Sequence, residues 1–232
     1  MNGTTYERRR GEIEHYFDRT ALSAWARLTS DAPLGRIRST VRAGRDAMRA
    51  TLLAMLPDDL TGARLLDAGC GTGALALEAA RRGADVVGID ISPQLISIAS
   101  DRTASDSASR NVSFRAGDML DPALGRFDYV VAMDSLIHYN APTVVDALGK
   151  LADRVDRAIL FTFAPRTPIL GVMHAVGRQF PRGDRAPMIE PLAETALHRA
   201  IRTTPALAPF AIGRREKIAS GFYVSKALEL HR

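Results

Sequence analysis

The chain has 232 residues, with 31 Lys and Arg against 26 Asp and Glu, for a net charge of +5. Apolar residues make up 46% and charged residues 25%, and a chain of this length buries roughly 70% of its unfolded surface on folding. These figures exclude a largely disordered chain and a collagen-like repeat, and a single cysteine, Cys70, excludes a disulfide scaffold and fits a reducing compartment.

Met1 to Gly11 is charged and polar, without the apolar segment of a signal peptide. The longest apolar-rich stretch, Ala158 to Val176, is interrupted by Pro165, Arg166 and Pro168, too soon for a membrane span, although peripheral membrane contact stays open. Lysine stands only at 150, 217 and 226, so arginine supplies the rest of the basic charge. Arginine forks suit carboxylates and phosphates, while a compositional arginine bias is the plainer explanation. The surplus lies in the C-terminal third and forms no basic nucleic-acid tail.

Taken in chain order, Tyr6 to Leu28 carries apolar residues at helical spacing and ends at the breaker Thr29 to Pro33. Val41 to Leu56 predicts a second helix, stopped by Pro57. From Ala63 the period changes. Strands are expected at Arg64–Ala68, Asp85–Ile89, Val112–Ala116, Tyr129–Asp134 and Ala158–Phe163, with helices at Ala74–Arg82, Pro93–Ser105 and Pro142–Arg154. This alternation predicts an α/β fold, a doubly wound and mostly parallel sheet. Arg215–Ser220 and Gly221–Glu229 predict an antiparallel C-terminal hairpin at or near the sheet edge. Ala164 to Ala211, with seven prolines, is too apolar for a linker and too long for a plain connection, which marks a functional insertion.

The strongest motif is Leu65-Leu-Asp-Ala-Gly-Cys-Gly-Thr-Gly73, between a strand and a helix. Its glycines permit a tight turn and close approach of a ligand. Gly69-x-Gly71-x-x-Ala74, followed by Asp90 about 20 residues on, fits a dinucleotide loop as well as that of another nucleoside. Three features favour the latter. Asp67 would repel a pyrophosphate but welcome a ligand bearing sulfonium and ammonium groups. Asp118, in Phe114-Arg-Ala-Gly-Asp118-Met119, can accept from an adenine amine, with Met119 against the ring. The terminal hairpin is not needed by a plain dinucleotide fold.

As a set, Asp67, Gly69, Gly71, Gly73, Asp90, Gly117-Asp118 and Asp134 resemble the class I S-adenosylmethionine-dependent methyltransferases over about residues 63 to 163 plus the hairpin. The resemblance implies that Gly69, Cys70 and Gly71 cradle the cofactor's amino-acid part, that Asp90 binds its ribose and that Asp118 binds its adenine. Asp67, Gly73, Ile91, Met119 and Asp134 complete the expected cofactor-binding set. Signatures for amino-nitrogen, cytosine and catechol methylation are missing, and the histidines at 15, 138, 174, 198 and 231 have no metal-ligand spacing, so no protein-bound metal is expected.

Two further constellations narrow the family. His15-Tyr-Phe-Asp-Arg19 with Trp25-Ala-Arg-Leu28, and Met133-Asp-Ser-Leu-Ile-His138-Tyr139, together with Leu160-Phe-Thr-Phe-Ala-Pro165 and the closing Gly221-Phe-Tyr-Val-Ser-Lys226, closely resemble the magnesium-protoporphyrin IX O-methyltransferases of bacteriochlorophyll synthesis. What this implies is esterification of one propionate of magnesium protoporphyrin IX by S-adenosylmethionine, leaving S-adenosylhomocysteine. His138 and Tyr16 are the expected catalytic residues, and Trp25, Arg166, His174 and Arg178 the expected substrate contacts. Residues 1–60 are expected to form a helical lid and 61–232 a methyltransferase domain, with 164–211 as a substrate-binding cap. The implied placement is cytoplasmic, with an at most peripheral membrane contact and a magnesium-chelatase subunit as a further partner. The competing readings are an O-methyltransferase of a quinone or phenol, a nucleotide-binding oxidoreductase and a non-catalytic porphyrin carrier.

Overall fold

A computed structural model of the chain describes residues 3–16, 26–30, 33–166 and 189–232. Its frame is one seven-stranded sheet, in spatial order β3-β2-β1-β4-β5-β7-β6. The strands are β1 (Arg64–Ala68), β2 (Asp85–Asp90), β3 (Val112–Ala116), β4 (Phe127–Ala132), β5 (Val155–Phe163), β6 (Ala211–Ser220) and β7 (Tyr223–His231). The first five are parallel, while β7 runs antiparallel to both β5 and β6. The central strands are continuous apolar runs because both faces of a parallel sheet are covered.

Alternation along each strand sorts the core into two layers. Leu65, Val131 and Leu160 meet α2 (Arg36–Ala54) and α3 (Ala74–Arg81) on one face, where Met48, Leu52, Ala76 and Ala79 are fully buried. Leu66, Val130 and Phe161 meet α5 (Ala141–Ala152) and α6 (Glu194–Thr203) on the other, through Leu148, Leu151, Leu197 and Ile201. Helix α4 (Pro93–Thr103) starts at Ser92, whose hydroxyl accepts from the Leu95 N–H at 3.2 Å, and α5 starts at Asn140, whose side chain accepts from Thr143 at 3.0 Å.

The N-terminal elements divide. Helix α1 (Gly3–His15) buries Tyr6 and Ile13 in the second layer. Helix α2 is built into the first layer and packs along β6 and β7; Gly44 is required there because a Cβ would stand 2.6 Å from the Tyr223 ring.

Several boundaries differ from the expected ones. The described part of the first helix ends at His15, whereas apolar spacing carried it to Leu28; residues 17–25 lie outside the described residues. Helix α2 starts at Arg36, five residues earlier than expected. Strand β4 is shifted two residues toward the N-terminus, and Asp134 leaves the strand with φ of 54°, the one non-glycine residue with positive φ among the described residues. Strand β5 begins at Val155, β6 begins four residues earlier than expected, and β7 keeps its expected length but lies two residues further toward the C-terminus.

The parallel run reverses its order between β1 and β4, which opens a crevice at their carboxyl ends. Phe161 anchors the sheet beneath it. Its truncation to Ala is expected to cost about 3–5 kcal/mol, read as a lowered midpoint in urea denaturation with the m-value retained.

Candidate active site

A cavity of about 590 Å³ occupies the switch point. Its floor is the loop after β1. Gly69 has φ of 86°, and a side chain on it would run into Ser135, so the loop and the β4 exit come together only at a glycine. Asp90 pins the loop from β2: Oδ2 accepts from the Gly71 N–H at 2.9 Å and Oδ1 from the Ser92 N–H at 3.0 Å.

Asp67 is 1% exposed, yet it borders the cavity, and its Oδ2 has no hydrogen-bond partner among the described residues. Burial drives its carboxyl up to about 7, against a downward pull from the Ala76 N–H and with an added rise from Asp90. A buried acid with an unsatisfied oxygen is a site prepared for a cation. Cys70 lines the same floor, and burial, then Asp67 and Asp90, push its thiol well above the ordinary range.

The expected site residues fall into three groups. Tyr16, Asp67, Gly69, Cys70, Gly71, Asp90, Ile91, Met119, Asp134 and His138 all border the one cavity. Gly73, Asp118 and Arg166 do not. Gly73 stands behind the loop against Phe114, and Arg166 is exposed beyond Ala164. Asp118 is covered by α1: the Tyr6 hydroxyl donates to Oδ1 at 2.7 Å and Arg10 pairs with Oδ2 at 2.6 Å. Tyr6 also stacks on Tyr139 at 5.2 Å, and Arg9 donates to the His138 carbonyl at 3.0 Å, so α1 lies across the crevice. Trp25, His174 and Arg178 lie outside the described residues.

Asp134 is gripped from three sides. Arg45 pairs with Oδ2 at 2.7 Å, the Tyr223 hydroxyl donates to the carboxylate at 3.1 Å, and Thr162 donates to Oδ1 at 3.2 Å while accepting from the Asp134 N–H at 2.7 Å. These bonds hold the left-handed turn that sends Ser135 and the short 3-10 turn Leu136–His138 along the cavity wall. His138 is 8% exposed there.

Sequence reasoning missed the part of the lining that α2 supplies. Arg38, Arg42, Arg45 and Arg49 of α2 all border the cavity. Their spacing of four, three and four residues places them in one row on the helix, a signal that helical periodicity contains. The cavity is therefore bordered both by acids at the strand ends and by arginines of α2, of which Arg45 is paired with Asp134.

These elements define a class: a Rossmann-like methyltransferase, built around a glycine loop and an acid at each of the first two strand ends. Comparison with known proteins agrees. The family described as "Methyltransferase domain" matches residues 65–157, and "Magnesium-protoporphyrin IX methyltransferase C-terminus" matches residues 132–232. A magnesium-protoporphyrin O-methyltransferase of Rhodobacter capsulatus is 52% identical over 225 residues, 97% of each chain. The crystal structure of magnesium protoporphyrin IX methyltransferase from Synechocystis PCC 6803 with bound SAH has a TM-score of 0.80 at 28% identity, covering 96% of this chain and 99% of that one. The chain belongs to the magnesium-protoporphyrin O-methyltransferase family.

Among the described residues no group of three or more His, Cys, Asp and Glu could hold a metal ion, and no helix is long and apolar enough to cross a membrane.

The buried acid makes a testable linkage. A carboxyl raised from 3.8 to about 7 holds its proton longer in the folded chain than in the unfolded one, so its contribution weakens the fold as pH rises through that window. Comparing Tm between pH 4.5 and 7.5 in Asp67→Asn and the parent is expected to show a smaller loss in the variant. Parallel curves would place the acid's titration elsewhere.

Proposed function

We propose that this chain transfers a methyl group from S-adenosylmethionine to one propionate carboxylate of magnesium protoporphyrin IX, forming the monomethyl ester. The observation that carries the reading is the unsatisfied, buried Oδ2 of Asp67, in a crevice also bordered by arginines of α2, in a chain that is 52% identical to a magnesium-protoporphyrin O-methyltransferase. A cationic donor suits the acids at the strand ends, and an anionic acceptor suits the arginines that border the same cavity.

The residues present fit the donor. Asp67 is free at one oxygen to meet an ammonium group, Gly69, Cys70 and Gly71 expose the floor, and Ile91 and Met119 offer apolar contact near Asp90. Gly73 and Asp134 support this set from behind the loop and from the β4 exit. When bound, S-adenosylmethionine supplies a methyl carbon on a positive sulfur; a carboxylate oxygen bonds to that carbon as the carbon–sulfur bond breaks, leaving a neutral thioether.

A carboxylate is already ionised near neutral pH, so the chain's main task is to align and dry the reacting atoms. His138 holds the acceptor carboxylate by donating a hydrogen bond, and takes its proton where burial leaves the carboxyl neutral. Tyr16, from the end of α1, orients the same group, while α1 acts as the lid. Asp118 meets the adenine once Tyr6 and Arg10 yield it. Trp25, Arg166, His174 and Arg178 serve the porphyrin side. The same reading keeps a magnesium-chelatase subunit and a peripheral membrane contact as expected partners of a chain whose acceptor is flat and apolar.

Incubation of the purified protein with magnesium protoporphyrin IX and methyl-labelled S-adenosylmethionine is expected to give labelled porphyrin ester. His138→Ala is expected to lower kcat/KM by about 100-fold and Tyr16→Phe by about tenfold. Wild-type rates in both variants would remove these residues from the mechanism, and absence of labelled ester with the parent protein would refute the reaction itself.

A further inference from the structure

His138 stands on a short turn, and two distant stretches of chain hold that turn from outside. The peptide planes before and after a residue set its φ and ψ between them, and a hydrogen bond to a carbonyl fixes the plane that carries it. The plane before His138 is held at its oxygen, where the Glu190 N–H donates to the Ile137 carbonyl at 2.8 Å. The plane after it is held at both ends. Arg9 Nε donates to the His138 carbonyl at 3.0 Å, and the Tyr139 N–H donates to the Leu136 carbonyl at 3.1 Å. Fixing both planes fixes the direction in which the imidazole leaves the backbone.

Arg9 does more than supply one donor. Its Nη1 donates to Glu12 at 3.1 Å, which keeps the side chain along α1, and its Nη2 pairs with Glu190 at 3.6 Å. A guanidinium is planar and rigid, so two anchored nitrogens aim the third. Glu190 is itself tied to the sheet. Two residues on, the Leu192 N–H donates to the Ala164 carbonyl at 2.8 Å, and the Leu192 carbonyl accepts from Arg166 at 2.9 Å, just beyond β5. Helix α1, the turn after β4 and the segment 189–192 therefore meet around one ion pair. Neither member of that pair borders the cavity, whereas His138 and Ile189 do.

We propose that Arg9 and Glu190 form a clasp that positions His138, so that the imidazole is aimed at the acceptor carboxylate only while α1 lies across the crevice. The inference rests on the role given to His138 above, and it adds two positioning residues that touch neither donor nor acceptor. When α1 lifts, the His138 carbonyl loses its donor and Glu190 loses its cation together. The turn is then left with the Glu190 N–H and its own internal bond. Closure of the lid and readiness of His138 become a single event.

The test has a kinetic arm and a spectroscopic arm. kcat and KM for magnesium protoporphyrin IX are measured in the parent protein, Arg9→Ala, Arg9→Lys, Glu190→Gln, His138→Ala and the double variant of Arg9→Ala with His138→Ala. Arg9→Ala is expected to lower kcat about tenfold, with the affinity for S-adenosylhomocysteine by calorimetry kept within about twofold, and Arg9→Lys to recover part of the loss. Glu190→Gln keeps its backbone donor, and its side chain is 39% exposed and partly screened, so its loss is expected to be about twofold. On the His138→Ala background Arg9→Ala is expected to cost nothing more. In the second arm, the imidazole Cε1–H NMR signal of His138, identified by its loss in His138→Ala, is expected to move in Arg9→Ala while that of His198 stays. Additive losses in the double variant, an unmoved His138 signal, or an affinity for S-adenosylhomocysteine that falls in step with kcat would overturn the clasp, the last by assigning Arg9 to the cofactor. A parental rate in His138→Ala overturns it too, by removing the histidine it serves. If the parent forms no ester, the esterification reading fails, and the His138 signal alone then decides the clasp.

Discussion

Moving a carboxylate out of water is among the more costly things a fold can do, and β1 does it at its last turn outward. Asp67 is buried with one oxygen unsatisfied, and it shares the crevice with Asp90. The rest of the site is arranged around that cost. The glycine loop must turn tightly to leave the acid accessible, Asp90 must spend its own oxygens on Gly71 and Ser92 to hold the turn, and Ser135 must fit where Gly69 has no side chain. Like charges gathered at neighbouring strand ends repel, and a bound cation relieves both the repulsion and the desolvation. The crevice is thus better satisfied with a positively charged guest than without one.

Asp134 solves a different problem, the placement of the segment after β4. Asp134 accepts from α2, β5 and β7 together, through Arg45, Thr162 and Tyr223. Three distant stretches of chain therefore meet on one buried carboxylate, and the left-handed turn there persists because they over-determine it. The terminal hairpin is part of this support. Tyr223 reaches Asp134 only because Gly44 lets β7 approach α2 closely. A hairpin at the end of the chain so helps to fix the position of His138.

Much of this was legible before the fold was known, for physical reasons. Buried parallel strands are continuous apolar runs, so β1 and β2 stand within a residue of their expected limits, and the edge strand β3, which alternates Val112, Phe114 and Ala116 with polar residues, stands at its own. Glycines and acids at strand ends lie at fixed spacing from the strands, which placed Asp67 and Asp90. What depends on contacts distant in sequence was hidden. The end of β4 is set by the pull of Arg45 and Tyr223 on Asp134, and neither partner is near it in the chain. The covering of Asp118 by Tyr6 and Arg10 spans more than a hundred residues. The arginine row was visible as a helical period but is indistinguishable, in sequence, from a solvated face; only the packing of Met48 and Leu52 beneath it shows which way the row turns.

Burial, together with the acids that favour a cation, also governs the sulfur beside them. Thiolate, not thiol, is the nucleophilic form of cysteine, and the surroundings of Cys70 strongly oppose its ionisation. A loop that handles an electrophilic alkyl donor can therefore carry a cysteine without being alkylated by it. Burial, to which Asp67 and Asp90 add, keeps that sulfur in its protonated and weakly nucleophilic form.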